Sequence, residues 1–503
     1  MVTTDPNTGT RLRFLGAAIL TSCALLAAGC SGDKGSTNAE GDGTPDASEA
    51  AKNCPVDALK DVTKPVEINL WFAFQGLTAK AIEQMAADYN ASQDKVKVTV
   101  GNQGSYEEQL AKYKTGLGSP ASLPGIVTGE DTWTRYMVDS KSIVTAQDCI
   151  DADPGSEKIF EDLEPAVRAS YSENGRLLAG GFGVSTPVLY FNRDHFEKAG
   201  LDVNNPPKTL DELTAAAEKI KAANIPGVEQ PIVLKMDAWY IEHWLTGANI
   251  PIVNENNGKD APATETFVGD EDGMKLMKWL KSGVDAGLIK ATKSTDEISA
   301  YFAVAGQSGS MLLQTSSAIT TIDAAIKGTL NADILPQAGG IDLSAVKVAD
   351  LKVGVAPVPG LKEAGRGQIG GNVWYMVKKS PEEIAAAWDF LKFANSVEAQ
   401  VKWTSMSGYL PSHAEAAKDP ALVEEWSSTD KGKWLKVAYE SVKTLDPEFT
   451  GPWIGAYAAF RTELRSVLDS VALEGADPTA TLTAADQAIE EAMAEYNKNP
   501  GQS

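Results

Sequence analysis

With three histidines in 503 residues, the chain has little means for imidazole or metal chemistry. His195, His243 and His413 lie far apart, no two stand at ligand spacing, and no cluster of free cysteines accompanies them, so neither a metal site nor a cofactor is expected. A G-x-S-x-G elbow and a P-loop are both missing, which argues against a nucleophile-elbow hydrolase and a nucleotide hydrolase. The single G-x-G-x-x-G, Gly365 to Gly370, runs into the strand-like Asn372-Val-Trp-Tyr-Met-Val377. A dinucleotide site needs a helix amino terminus there to meet the pyrophosphate. Basic residues are outnumbered, 45 Lys and Arg against 68 Asp and Glu, for a net charge of −23. Such a field repels nucleic acid and anionic head groups, though one local arginine can still dominate a pocket. The carboxylates could include a glycosidase pair, but abundance is not evidence for one.

Long apolar runs are equally scarce. The one that exists, Phe14 to Ala28, follows Arg11 and Arg13 and ends in Leu26-Ala-Ala-Gly-Cys30. A basic start, an apolar middle and small residues before a cut describe a secretory leader. A cysteine directly after the cut reads as the acylation site of a bacterial lipoprotein, with a diacylglycerol on the Cys30 thiol. The leucine at position 26 stands one place earlier than that pattern usually has it. The competing reading is an uncleaved anchor helix, for which about fifteen apolar residues are short of the ~20 a span requires. The expected location is therefore extracytoplasmic, on the outer face of the cell membrane. Only Cys54 and Cys149 remain once Cys23 leaves with the leader and Cys30 takes lipid. An oxidising setting favours a bridge between them; two buried free thiols are the alternative.

Composition divides the rest. Residues 1–29 read as the leader and 30–52 as a flexible tether of small and polar residues that can bury nothing. Order is expected from about Pro65. Val66-Glu-Ile-Asn-Leu70 alternates like a strand, Thr78 to Asn90 sets Ile82, Met85, Ala86 and Tyr89 on one helical face, and Val96, Val98 and Val100 alternate again. This β-α-β opening implies a mostly parallel sheet in an α/β fold. Thr209-Leu-Asp-Glu212 and Ser380-Pro-Glu-Glu383 read as capping boxes. The chain is long enough for two lobes.

Aromatic residues are well supplied, with eleven tryptophans. Trp279, Trp388, Trp403, Trp426 and Trp434 follow helical patterns and are expected in packing. Trp71, Trp133, Trp239, Trp374 and Trp453 flank expected loops. Flat rings beside amide and hydroxyl groups suit sugar rings, whose C–H face packs on an aromatic while the hydroxyls find partners.

The stretch Gly183-Val-Ser-Thr-Pro-Val-Leu-Tyr-Phe-Asn-Arg-Asp-His-Phe-Glu-Lys-Ala-Gly-Leu-Asp202, followed by Pro206-Pro-Lys-Thr-Leu210, resembles the central segment of family 1 extracellular solute-binding proteins. These are the receptors of ABC importers for carbohydrates and glycerol phosphates. Ser105-Tyr-Glu-Glu-Gln-Leu110, Met137 to Ile143, Ile369-Gly-Gly-Asn372 and Ser407-Gly-Tyr-Leu-Pro411 add to the likeness, which runs from Val66 to Ala494. The resemblance implies a two-lobed, type II, maltose-binding-protein-like fold with three crossings between lobes and a ligand cleft between them. The lobes would be built from 53–188 and 372–408 on one side and 189–371 and 409–503 on the other. The crossings would fall near Asn192, at Gly370-Gly371 and at Ser407 to Pro411. It further implies a monomeric receptor rather than an enzyme, partnered by a permease. Matched to the family, Tyr106, Glu130, Asp131, Ser185, Trp239, Ser316, Gly371 and Tyr409 would meet the ligand. Glycerophosphate binders carry an arginine within a G-x-R-x-G turn, whereas here the turn is Gly451-Pro-Trp-Ile-Gly455. A guanidinium offers a fork of donors to phosphate; an indole offers one donor and a face. Trp453 therefore points to a neutral sugar or oligosaccharide. A glycerophosphodiester, with Arg461 or Arg465 as substitute cation, is the alternative; a secreted glycoside hydrolase and a surface adhesin are more distant ones.

Overall fold

The structure, a computed structural model, describes residues 47–296, 298–331, 334, 348 and 351–502. The leader, Cys30 and the tether up to residue 46 lie outside the described residues. Thirteen strands occur among the described residues: β1 Val66–Phe72, β2 Val96–Asn102, β3 Ile126–Glu130, β4 Ile143–Val144, β5 Ser172–Glu173, β6 Arg176–Leu177, β7 Gly181–Ser185, β8 Pro187–Asn192, β9 Ile232–Lys235, β10 Ile289–Thr292, β11 Met311–Thr315, β12 Val353–Pro357 and β13 Gly370–Val377. They form a sheet ordered β2-β1-β3-β13-β4, with β7 also on β13, a second sheet ordered β10-β9-β11-β8-β12, and the hairpin β5-β6.

The alternation in β1 does what its pattern implies: Ile68, Leu70 and Phe72 are buried while Glu67 and Asn69 face water. The next helix, Gly76–Ser92, buries Ile82, Met85, Ala86 and Tyr89. β1 runs parallel to β2 and β3, and β13 enters antiparallel to β3. In the second sheet β9, β10 and β11 are parallel and β8 lies antiparallel between β11 and β12. Helices cover both sheets, giving two lobes. The Ser380 box closes as read, with both reciprocal bonds. At Thr209 the hydroxyl accepts from the Glu212 amide, but the Glu212 carboxylate reaches the Lys208 amide instead of that of Thr209. Trp388, Trp403, Trp426 and Trp434 are buried in packing, and Trp279 sits edge-on to Trp244 at 5.5 Å. Trp133 and Trp374, expected beside loops, are buried as well.

Two segments depart from the sequence reading. Residues 47–52, assigned to the tether, belong to a helix, Ala47–Asn53. Its Ala50 is buried, and the Cys54–Cys149 disulfide ties its end to the helix Ala146–Ala152. Composition misleads here because alanine buries well once a covalent anchor holds the turn in place. Second, the chain does not leave the first lobe at Ser407 to Pro411. Leu410 bridges Val184 of β7, and the Ser412 carbonyl accepts from the Glu164 amide at 2.9 Å. Leu410 is fully buried there, so apolar packing holds the segment back. The helix Asp430–Val442 then packs on β12 of the second sheet, and the helices Tyr457–Leu473 and Pro478–Lys498 complete that lobe. Among the described residues, no helix is long and apolar enough to cross a membrane.

Burial sets an acid limit on stability. His243 and His413 are both pushed down to about 4 by loss of solvent, below the ordinary 6.5. Between those values the unfolded chain binds protons that the fold refuses, so this contribution is complete above pH 6.5 and drains away as pH falls toward 4. Chemical denaturation from pH 7 to 4 is expected to show a falling midpoint, with the loss reduced in a His413→Gln variant.

Candidate functional site

The first passage between lobes is Thr186, which separates β7 of one sheet from β8 of the other. The second joins β12 to β13 at Gly370-Gly371, and both glycines are required by their neighbours. A Cβ on Gly371, whose φ is +126°, would fall 1.9 Å from the Gly183 carbonyl oxygen. One on Gly370 would fall 2.2 Å from the Trp239 ring. Register then sets Asn372 of β13 opposite Gly183 on one side and Glu130 on the other, and Gly370 opposite Ser185. The ends of three strands thus bring Ser185, Glu130, Asn372 and Gly371 to one place.

Tyr106 opens the helix Tyr106–Gly116, which the reciprocal Ser105–Glu108 box starts. Its ring stands edge-on to Trp133 at 6.2 Å, and its hydroxyl bonds that of Tyr409. Tyr409 stacks on Trp403 at 5.6 Å, and its phenol also bonds Asn372 and Ser317. Ser316 differs from its neighbour: it is fully buried, and its hydroxyl accepts from the Thr186 amide at 3.3 Å. That serine ties β11 to the first passage, and Ser317 is the one facing Tyr409. Trp239 lies over the second passage with its indole N–H buried and unpartnered among the described residues.

Trp453 is positioned by an unusual turn. Glu255, Asn256 and Asn257 take left-handed dihedrals, φ 54°, 53° and 56°, where asparagine is tolerated. The Asn257 carbonyl accepts from the Trp453 amide at 2.7 Å, and its side chain bonds the Thr450 carbonyl at 3.2 Å. Trp453 then lines a cleft with Tyr171, Thr134 and Asp131 of the first lobe and Gln368 and Tyr457 of the second. The Asp131 carboxyl stands well above the usual carboxylate range, chiefly through burial, with Glu130 and Glu242 adding to the effect and Arg461 opposing it.

Sequence reasoning named Arg461 only as a substitute cation and passed over Glu242, its partner behind this cleft. Glu242, in the helix Ala238–Gly247, is fully buried. Its carboxylate accepts from Arg461 Nε at 2.9 Å and Nη2 at 2.8 Å, from Gln368 Nε2 at 2.5 Å and from the Tyr457 hydroxyl at 2.9 Å. Arg461 Nη1 crosses to the first lobe and donates to Glu130 at 2.7 Å, with Asp131 at 3.8 Å. Arg465 pairs with Asp237 at 3.5 Å and Glu107 at 3.6 Å, and Arg135 with Asp139 at 2.7 Å and Glu173 at 2.9 Å. The guanidinium groups of Arg461 and Arg135 are therefore already hydrogen-bonded to carboxylates, whereas Arg465 has only the two longer ion pairs and its Nε lacks a hydrogen-bond partner among the described residues. The signal was present: Arg461 shares the helical stripe of Tyr457, Phe460, Leu464 and Leu468, and Glu242 interrupts the apolar Trp239-Tyr-Ile-Glu-His-Trp-Leu245.

The family of bacterial extracellular solute-binding proteins matches this chain over residues 84–430. The chain belongs to that family. It is thus an extracytoplasmic receptor of an ABC importer, taking a small molecule to permease subunits. The sn-glycerol-3-phosphate-binding periplasmic protein UgpB of Escherichia coli O1:K1 / APEC is 27% identical over 418 residues, spanning 80% of this chain and 87% of the relative. Two solved structures share the fold. The cyclic alpha-maltosyl-1,6-maltose binding protein from Arthrobacter globiformis has a TM-score of 0.65 at 20% identity, covering 86% of this chain and 100% of its own. UgpB from Mycobacterium tuberculosis in complex with glycerophosphocholine has a TM-score of 0.66 at 17% identity, covering 87% and 100%.

Proposed function

We propose that the receptor captures a neutral sugar or short oligosaccharide between its lobes. The observation that carries this reading is the pairing of Arg461 and Arg135, each hydrogen-bonded to two carboxylates. A phosphate entering the cleft would find the forks of Arg461 and Arg135 already taken and would face the Glu130 carboxylate. A sugar ring would find flat faces at Trp453, Tyr171 and Tyr457, acceptors at Glu130 and Asp131, and donors at Trp239 and the Tyr106–Tyr409 pair. Ser185 and the Gly371 backbone stand beside them; Ser316 is the weakest candidate, because its hydroxyl is already bonded. The ligand touches both lobes only when they are closed and so favours closure by that difference in affinity. In this reading Cys30 carries the lipid anchor on the outer face of the membrane, and a monomer delivers the sugar to the permease. The second reading is a ligand of the sn-glycerol 3-phosphate or glycerophosphodiester class; the 27% identical relative is named for binding sn-glycerol 3-phosphate.

A thermal-unfolding screen separates the two. A bound sugar at a hundred times its Kd adds about 2.7 kcal/mol of stability, a clear rise in Tm. Glycerol 3-phosphate and glycerophosphocholine are expected to give none. Trp453→Ala is expected to weaken the sugar about tenfold in calorimetry. A rise with glycerophosphates alone would establish the second reading instead.

A further inference from the structure

Glu242 sits where an apolar side chain would serve packing better. Removing a carboxylate from water is costly, and the cost is recovered only with a well-placed partner. Here the partner is Arg461, bound side-on through Nε and Nη2, the same two-point fork by which a guanidinium grips a phosphate. The Tyr457 hydroxyl and the Gln368 amide hold the carboxylate in that position. Only Nη1 is left over, and it points to Glu130 and Asp131 across the cleft. Arg461 itself is 4% exposed, immediately behind the cleft-lining Asp131 and Tyr457.

We propose that Glu242 determines ligand specificity: by filling the fork of Arg461 from inside, it bars anionic, phosphate-bearing solutes from a cleft that holds the cation to bind them. Glu242 is a positioning residue that acts through Arg461. The inference rests on the sugar reading and goes beyond it, since it names the residue that keeps phosphate out. It also implies that the exclusion is reversible by one change of charge. Glu242→Gln keeps the volume, removes the charge and exchanges one accepting oxygen for an amide that only donates, so the fork of Arg461 is weakened and an incoming phosphate competes for it with Glu130 and Asp131 alone.

The test is calorimetry and thermal unfolding with glycerol 3-phosphate, with sodium chloride at matched ionic strength as control. Wild type is expected to show no binding, E242Q to bind with at least about tenfold greater affinity than wild type, E242Q/R461Q to lose that gain, and E242D, which keeps the charge, to stay like wild type. A purely structural role for Glu242 would lower stability without creating any phosphate response. Should E242Q be unfolded in buffer, glycerol 3-phosphate, but not chloride, is expected to restore its folded circular dichroism. A folded E242Q that ignores glycerol 3-phosphate, a gain that survives loss of Arg461, or an unfolded E242Q that phosphate does not rescue overturns the role of Glu242 and leaves the sugar reading intact. A wild type that already binds glycerol 3-phosphate as tightly as E242Q overturns both.

Discussion

Replacing both bridge cysteines, C54A/C149A, lowers the unfolding free energy by about 3–5 kcal/mol. The estimate follows from the loop that the bridge closes. Cys54 and Cys149 are 95 residues apart, and a cross-link of that length removes much of the freedom of the unfolded chain. The loop contains β1, β2 and β3, the parallel strands of the first sheet, so the restriction falls on a segment with much order to acquire. Both cysteines are fully buried, which is why the test uses a double variant rather than added reductant. Urea unfolding of wild type and variant gives the difference directly. A loss under about 1 kcal/mol would mean that the unfolded chain is already compact around this loop. The helix Ala47–Asn53 packs on the helix Ala146–Ala152 beside the bridge, and proteolysis there should be faster in the variant.

The second large effect comes from the folded state. Arg461→Met is expected to cost about 3–5 kcal/mol, because it leaves Glu242 buried and unpaired. Glu242 is fully buried and Arg461 nearly so, which leaves water little access to relieve the stranded charge. Replacing both residues, E242L/R461M, is expected to cost less than the single change, since an apolar pair carries no desolvation penalty. Equilibrium unfolding of the two singles and the double completes a cycle that isolates the pair. If the double variant loses as much as the two singles added together, the pair is not the coupled unit described above. The same cycle read with ligand separates stability from recognition: Glu130 would lose its cross-lobe partner in R461M, so closure without ligand should become rarer.

Local patterns told most about the fold, and long-range pairing told least. The strand Val66–Phe72, the helix behind it and the start at Ser380 are legible because each rests on residues a few positions apart. The glycines of the second passage came from the family resemblance rather than from a local pattern. The helix Ala47–Asn53 was not legible, since its reason for forming lies 95 residues away at Cys149. Likewise the left-handed turn at 255–257 looks like any polar loop until its contact with Trp453 is seen. In the site, Tyr106, Tyr409, Glu130 and Asp131 were matched by resemblance; Asp131 lines the cleft beside Trp453, and Tyr106 bonds Tyr409. That Glu130 meets Arg461, 331 positions on, has no local trace. A charged residue on an apolar helical stripe announces a buried partner without naming it, and both Glu242 and Arg461 gave that sign.

The close seating of Trp239 on Gly370 has a consequence for how the receptor reports on itself. An indole seated on the second passage is expected to change its surroundings when the two halves part, so the change in emission that a Trp239→Phe variant loses would gauge opening. No dye need be attached, and the gauge is mounted on the passage itself rather than at a distant rim.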